Sequence, residues 1–419
     1  MPWATRSVFA AVAVVIAGLF TSSAHGAANI YNLGTLGGSE SSGSAINASG
    51  QVTGWSYTTG GVKHAFLYTG TPGSGGAMAD LGTLGGTNSY GCAINASGQV
   101  AGGSDRAGGQ HAFLYTGTPG SGGAMADLGT LGGTNSYGYA VNASGQVTGY
   151  ADTTAYAPHA FRYTGTPGSG GVMADLGTLG GSYSTGYAIN ASGQVAGWSH
   201  TTAGEAHAMR YTGTPGSDGM MADLGTLGWG VSFGRAINDS GQVAGDSVGL
   251  SQDAFLYTRT PGSDGAMADL GSLAGSETYG YAINASGQVV GKSVAWTGYF
   301  NIWDYRAFLY TGTPGVDGQM IDLNAWLKAN NPTEGAKWTL TAAYGLTDSG
   351  LITGTGTYND GPGGLSDGTR AFILDASSLV PEPASLSLLA VGGLALLRRR
   401  SGRYMHRRNG DPSRRRRLP

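Results

Sequence analysis

A single cysteine, Cys92, is all the thiol chemistry in this 419-residue chain. An internal disulfide is therefore impossible, and four-thiolate zinc sites are excluded. Carboxylates suited to catalysis are scarce too. Between residues 27 and 379 the only glutamates are Glu40, Glu205, Glu277 and Glu334, and none forms a pair that sequence identifies as acid and nucleophile. There is no His-Glu-x-x-His, and no Gly-x-Ser-x-Gly on a strand-to-helix turn. The glycine-rich segments lead into no helix, so none reads as a phosphate cradle. Charged residues are only 11% of the chain while glycines number 78. That balance would suggest disorder in an aperiodic sequence. Here the glycines fall at fixed phase, which makes them turn and close-packing residues.

The ends of the chain differ from its middle. Residues 1–26 read as a secretory signal: Arg6, an apolar stretch over Val8–Phe20, and the small-x-small site Ala24-His25-Gly26. Ala384–Leu397 is 14 residues, apolar apart from two serines, and is followed by Arg398, Arg399 and Arg400. As a helix it would reach about 21 Å into a hydrocarbon core of about 30 Å, with the arginines snorkelling to a cytoplasmic surface. Setting aside Arg6 and the ten arginines after Leu397, with Glu382 and Asp411, leaves 11 basic against 23 acidic residues, a net charge of −12. Such a body disfavours nucleic acid and anionic surfaces as partners. It permits cations, or neutral ligands such as glycans.

The middle is a repeat. Ala-Ile-Asn-Ala-Ser-Gly-Gln-Val stands at Ala45–Val52, Ala93–Val100, Ala188–Val195 and Ala282–Val289, with near-copies starting at Ala140, Ala236 and, much worn, Ala343. A His-Ala-Phe-like strand follows each, at His64, His111, His159 and His207, then in variant form at Asp253, Arg306 and Arg370. Asp-Leu-Gly or a variant of it begins at Asp80, Asp127, Asp175, Asp223, Asp269 and Asp322, with Asn32 first. Four short antiparallel strands per unit of about 48 residues is the content of one propeller blade. In the Tyr187 unit these are Tyr187–Asn190, Gln194–Trp198, His207–Tyr211 and Met221–Gly225. The phase supplies the rest. The repeat region opens with a lone fourth strand, Asn29–Gly34, and closes with three strands lacking a fourth. The first strand can complete the last blade and remove an open edge. The expected fold is all-β, a seven-bladed propeller over residues 27–379 and a monomer. A short helix is expected near Asn324–Asn330, with Trp326 and Trp338 packing nearby.

Several residues invite chemistry. The histidines suggest a metal ring, but an arginine stands at the same place in two repeats and would repel a cation, so strand-edge hydrogen bonding is expected instead. One aspartate per repeat is too few for calcium, and bonding to neighbouring main-chain N–H groups is expected. The Asn-Ala-Ser turns at Asn47, Asn95, Asn142, Asn190 and Asn284, with Asn238-Asp-Ser, match glycosylation sequons, yet turn chemistry explains them. Cys92 stands where other repeats have Tyr139, Tyr187, Arg235 and Tyr281 and reads as drift. No cofactor or metal is expected. The best ligand site is the irregular loop Ala295–Tyr305 of the sixth repeat, where Trp296, Tyr299, Phe300, Trp303 and Tyr305 offer flat faces for sugar rings. Asp304 or Asn301 would bond hydroxyls there. Local hydrophobic clustering is the competing account of that loop.

The repeat resembles the extracellular HAF-repeat family, named for His-Ala-Phe, from Asn29 to about Leu374. That resemblance implies export and a β-rich fold, with no established activity. Val380-Pro381-Glu382-Pro383-Ala384, the apolar stretch and Arg398–Arg400 resemble a PEP-CTERM sorting signal over residues 380–400. This implies processing near Pro381-Glu382-Pro383 by an exosortase, after transient inner-membrane contact through 384–397. Such signals usually stop soon after the arginines. Here an Arg-rich tail, 401–419, follows and reads as a cytoplasmic extension or an altered reading frame. The expected function is a non-enzymatic surface or matrix protein, exported through Sec, with exopolysaccharide as its candidate partner. The alternatives are a propeller glycosidase or lyase, for which Asp304, Asp246 and Glu205 are the carboxylates to test, and a purely structural spacer.

Overall fold

The computed structural model describes residues 28–71, 74–228, 230–262, 265–273, 277–296, 303–361 and 367–380, with only the main chain of Trp296. The leader, the sorting segment beyond Val380 and the Arg-rich tail lie outside these. No helix among the described residues is long and apolar enough to cross a membrane.

The protein is all-β, and each repeat builds a four-stranded antiparallel set. In the first repeat the order is Gly37–Ile46, Val52–Thr58, Lys63–Thr71 and Ser74–Asp80. Pairing gives five four-stranded sheets and one eight-stranded sheet. The larger one is two repeats joined by a single parallel bridge, Gln252 to Glu277. The last sheet takes three strands from the C-terminal end and a fourth, Ile30–Asn32, from the N-terminal end. Its register is Ile30 to Leu374 and Asn32 to Phe372.

Local chemistry explains the hairpins. Asn47 accepts from the main-chain N–H of Ser49 and Gln51 through Oδ1, at 3.1 and 3.0 Å, a turn that asparagine makes for itself. Gly50 closes it at φ +75°, a conformation that costs other residues steric strain. Farther up the hairpin, a methyl group added to Gly54 would run into the Ser42 carbonyl oxygen, so only glycine lets the two strands come that close.

The register of the seventh repeat corrects its sequence reading. Leu346 pairs with Ile352 as Ile46 pairs with Val52. Gly345 therefore stands where Ala45 stands, two residues later than the worn copy starting at Ala343 suggests. The hydrophobic pair sets the register, because slipping it would turn the buried side chains outward.

Core side chains lie between neighbouring sheets. Ala65, Leu67 and Leu81 of the first repeat pack against Ile94, Val100, Phe113 and Tyr115 of the second. Leu33, Ala371 and Ile373 of the last sheet pack in the same way against Ile46, Val52, Phe66 and Tyr68 of the first. The first strand of each repeat also packs on the first strand of the next, and Trp338–Leu346 packs on Gly37–Ile46. Buried hydroxyls tie the same interfaces together. Ser89 Oγ accepts from Ala65 N at 2.8 Å, and Ser136, Ser184, Ser232 and Thr278 do the same one repeat further each time. Ser41 receives Ala371 N across the last junction.

The helix Leu323–Asn330 forms as expected. Asp322 ends the preceding strand, as the repeated aspartate does elsewhere, but Asn324 replaces the usual glycine. Asp322 then caps a helix, accepting from Asn324 N at 2.8 Å. Leu323 and Leu327, four apart on one face, bury against Trp338 and Leu340, with Trp326 partly buried on the same cluster.

Candidate functional site

The sixth-repeat segment is a longer hairpin where the sequence suggests an irregular loop. Val289–Trp296 and Trp303–Thr311 stay paired to Val294–Tyr305, Ala295–Asp304 and Trp296–Trp303. The fourth repeat stops at His200–Ala206. Tyr299, Phe300, Asn301 and the side chain of Trp296 lie outside the described residues. Trp303 and Tyr305 are 44% and 42% exposed, and two-residue periodicity puts them on one face of the strand. Asp304 falls on the other face. Its carboxylate is held by Arg306 at 2.6 Å, which also reaches Asp322 at 3.4 Å. Arg306 thus already engages the carboxylate that the sequence reading assigns to ligand hydroxyls.

A second arrangement was not anticipated. In each repeat the register between the first two strands slips by one residue. The slips fall between Gly43 and Ala45, Gly91 and Ala93, Gly138 and Ala140, Gly186 and Ala188, Gly234 and Ala236, Gly280 and Ala282, and Ala343 and Gly345. The extra residues are Ser44, Cys92, Tyr139, Tyr187, Arg235, Tyr281 and Tyr344. A bulge re-aims its side chain. All seven of these line one cavity of about 360 Å³, with Ser42 and Trp55. Sequence did carry a signal: the frame Gly-x-Ala recurs at fixed phase in six repeats while x varies, and the seventh reads Ala343-Tyr344-Gly345.

The cavity wall is aromatic. Ring centroids of Tyr139 and Tyr187 lie 5.1 Å apart, and those of Tyr281 and Tyr344 lie 5.0 Å apart. The guanidinium of Arg235 sits 5.7 Å from each of the Tyr187, Phe233 and Tyr281 rings, within cation–π range. The wall continues outward. Tyr279 stacks 6.0 Å from Tyr281, and Lys292 Nζ lies 4.3 Å from the Tyr279 ring and 5.6 Å from Tyr305. The cavity and the exposed hairpin are thus linked by a row of rings.

Burial keeps these groups protonated. It raises the hydroxyls of Tyr139, Tyr281 and Tyr344 above the usual phenol value and the Cys92 thiol to about 11. Burial also pulls Arg235 down, but the hydrogen bond and charge of Asp246 outweigh it and leave the guanidinium firmly charged. Asp246 is itself fully buried and accepts from Gln252 at 2.7 Å. None of the nine lining residues is an aspartate, glutamate or histidine. The wall offers flat apolar faces, hydroxyl donors and acceptors and one cation, with no acid–base pair.

The repeated polar residues have local roles. His64, His111, His159 and His207 each contact the aspartate ending the fourth strand of the same repeat, as in His64 Nδ1 to Asp80 at 2.8 Å. That aspartate also accepts from the glycine two residues on, as Asp80 does from Gly82 N at 2.7 Å. The sequon asparagines are committed as well. Asn47 Nδ2 donates to Gln51 Oε1 and to the Asn95 main-chain oxygen. Of the other carboxylates named as catalytic candidates, Glu205 is exposed beside His207 at 3.7 Å, while Asp246 is held by Arg235.

At the turn end of the first strands, a cavity of about 440 Å³ is lined by turn residues that include Asp239 and Asp348 and no basic residue. The chain matches no protein-family model, and no curated protein is significantly similar to it.

Proposed function

We propose that the protein is an exported, non-enzymatic module that binds extracellular glycan, built as a seven-bladed β-propeller whose N-terminal strand completes the last blade. Three features support the propeller. First strands pack in succession, the last packs on the first, and Ile30–Asn32 completes the final sheet. The observation that carries the binding reading is the convergence of seven bulge side chains, one per repeat, on a single aromatic cavity. Tyrosine and tryptophan faces suit the apolar faces of sugar rings, and their polar tips suit hydroxyls. A lining without carboxylates favours binding over hydrolysis.

Residues 1–26 as leader and 380–400 as an exosortase-processed PEP-CTERM signal would place the module at the cell surface or in the matrix. Residues 384–397 would then anchor it transiently in the inner membrane. Membrane, envelope and matrix fractions probed with an antibody test this; absence from envelope and matrix would refute export to the surface. The binding test is a titration of the full-length protein in detergent against exopolysaccharide fragments. Tyr187→Ala/Tyr281→Ala and Trp303→Ala/Tyr305→Ala should each weaken binding by about tenfold or more, as losing two ring contacts predicts. Binding that survives both double substitutions would overturn the site.

A further inference from the structure

The fifth repeat departs from the third and fourth at two positions together, while the sixth keeps Tyr281 and has Lys292 where the fifth has Asp246. Where the third repeat has Tyr139 and Tyr150, and the fourth has Tyr187 and Trp198, the fifth has Arg235 and Asp246. The two are bonded: Arg235 Nε donates to one Asp246 oxygen, and Nη2 donates to the other at 3.3 Å. Tyr139 and Tyr150, by contrast, simply pack, 6.2 Å apart. Exchanging a packed ring pair for a buried ion pair is a poor route to stability, because both charges lose water. Drift of one residue alone would leave a buried charge unpaired. The exchange makes sense if the cavity needs a cation.

Geometry agrees. Arg235 is the single charged residue among those lining the cavity. Asp246, fully buried, braces it from behind. The braced guanidinium keeps further N–H donors in a fixed plane. Lys292 stands farther along the ring row, its ammonium opposed by Glu277. The opposite cavity has two aspartates in its lining and no cation, so an anion is favoured at one end only.

We propose that the aromatic cavity takes a carboxylate-bearing sugar ring, a hexuronic acid, with its carboxylate on Arg235 and its ring on the faces of Tyr187 and Tyr281. The shared chemistry is the acidic pyranose, whether free, terminal or within a polymer, and Arg235 supplies local positive charge to set against the body's net charge of −12. This rests on the glycan-binding reading and names its substrate class.

Full-length protein in detergent would be titrated with glucose, glucuronic acid and a short oligogalacturonate. Glucuronic acid should bind about tenfold or more tighter than glucose, as a charge-assisted contact predicts. Arg235→Tyr/Asp246→Tyr, which restores the residues of the third repeat, should bring that ratio to about one. Arg235→Gln/Asp246→Asn removes the charges while keeping polar groups, and should do the same should the first variant fail to fold. Binding of oligogalacturonate without the free acid supports a site that reads the ring inside a chain. Binding of both supports capture of a free or terminal acid. Equal binding of glucose and glucuronic acid by the wild type would overturn the proposal and leave glycan binding intact. An acid preference that survives in a folded variant overturns it too. No binding of any of the three would sink both readings.

Discussion

Asn47 donates from Nδ2 to the main-chain oxygen of Asn95, the same residue one repeat ahead, at 3.0 Å. Asn95 does so to Asn142, Asn142 to Asn190, Asn190 to Asn238 and Asn238 to Asn284. A residue that shapes its own turn therefore also fastens each of the first five repeats to the next. Asn142 is 5% exposed, so Asn142→Ala leaves the turn N–H groups of Ser144 and Gln146 without their acceptor and takes one of two donors from the Asn190 carbonyl, which keeps Gly193 N. The expected loss is about 1–3 kcal/mol, read from urea unfolding. An unchanged midpoint would mean that water replaces the amide at no cost.

The serine bridges predict a similar loss by another route. Ser136 Oγ accepts from the buried Ala112 N at 2.9 Å. Ser136→Ala removes the acceptor without making room for water, and should cost about 1–3 kcal/mol. Amide exchange at Ala112 should quicken with it. Slow exchange in the variant would show that another acceptor takes over.

These links mark what sequence could reveal. The hairpin turn is legible because its chemistry is local: Asn47, Ser49, Gly50 and Gln51 satisfy one another within five residues. The completing strand is legible from phase, since Asn32 repeats the place of Asp80. The seventh repeat is placed two residues off because Ala343 matches a letter, whereas Leu346 and Ile352 fix the register. The serine bridges stay hidden because the partner lies 24 residues away. The cavity is hidden for a different reason. Its residues vary because part of each faces open space, and that variation makes Cys92 look like drift. In the hairpin, Trp303 and Tyr305 are legible as exposed rings, whereas the ion pair of Asp304 with Arg306 depends on strand alternation that the loop reading lacks.

The completing strand gives a direct test of how the termini join. Ile30 and Leu33 are 6% and 5% exposed and bury against opposite sides of the last sheet. Ile30→Ser/Leu33→Ser should cost roughly 3–6 kcal/mol, two buried aliphatic side chains at about 1.5–3 each. Thermal unfolding and limited proteolysis of the C-terminal strands would both register it. Wild-type stability would mean that Ile30–Asn32 adds little to the last sheet.

Alkaline pH should loosen the cavity wall. Burial raises the Cys92 thiol to about 11, and raises the Tyr137 and Tyr139 hydroxyls. In the unfolded chain these groups lose protons near their ordinary values, about 8.5 for cysteine and 10 for tyrosine. Between those values and the folded ones the native state holds more protons than the unfolded state, so stability falls as pH rises. The stability from Cys92 should be complete below about pH 8.5 and gone by about pH 11. Cys92→Ser/Tyr137→Phe removes the two groups in contact at 3.5 Å, and should flatten unfolding midpoints measured across that window. In the wild type Cys92 should resist alkylation at pH 8 and react once urea is added. A slope unchanged by the double substitution would assign the alkaline loss to the remaining tyrosines, Tyr139 and Tyr281 first.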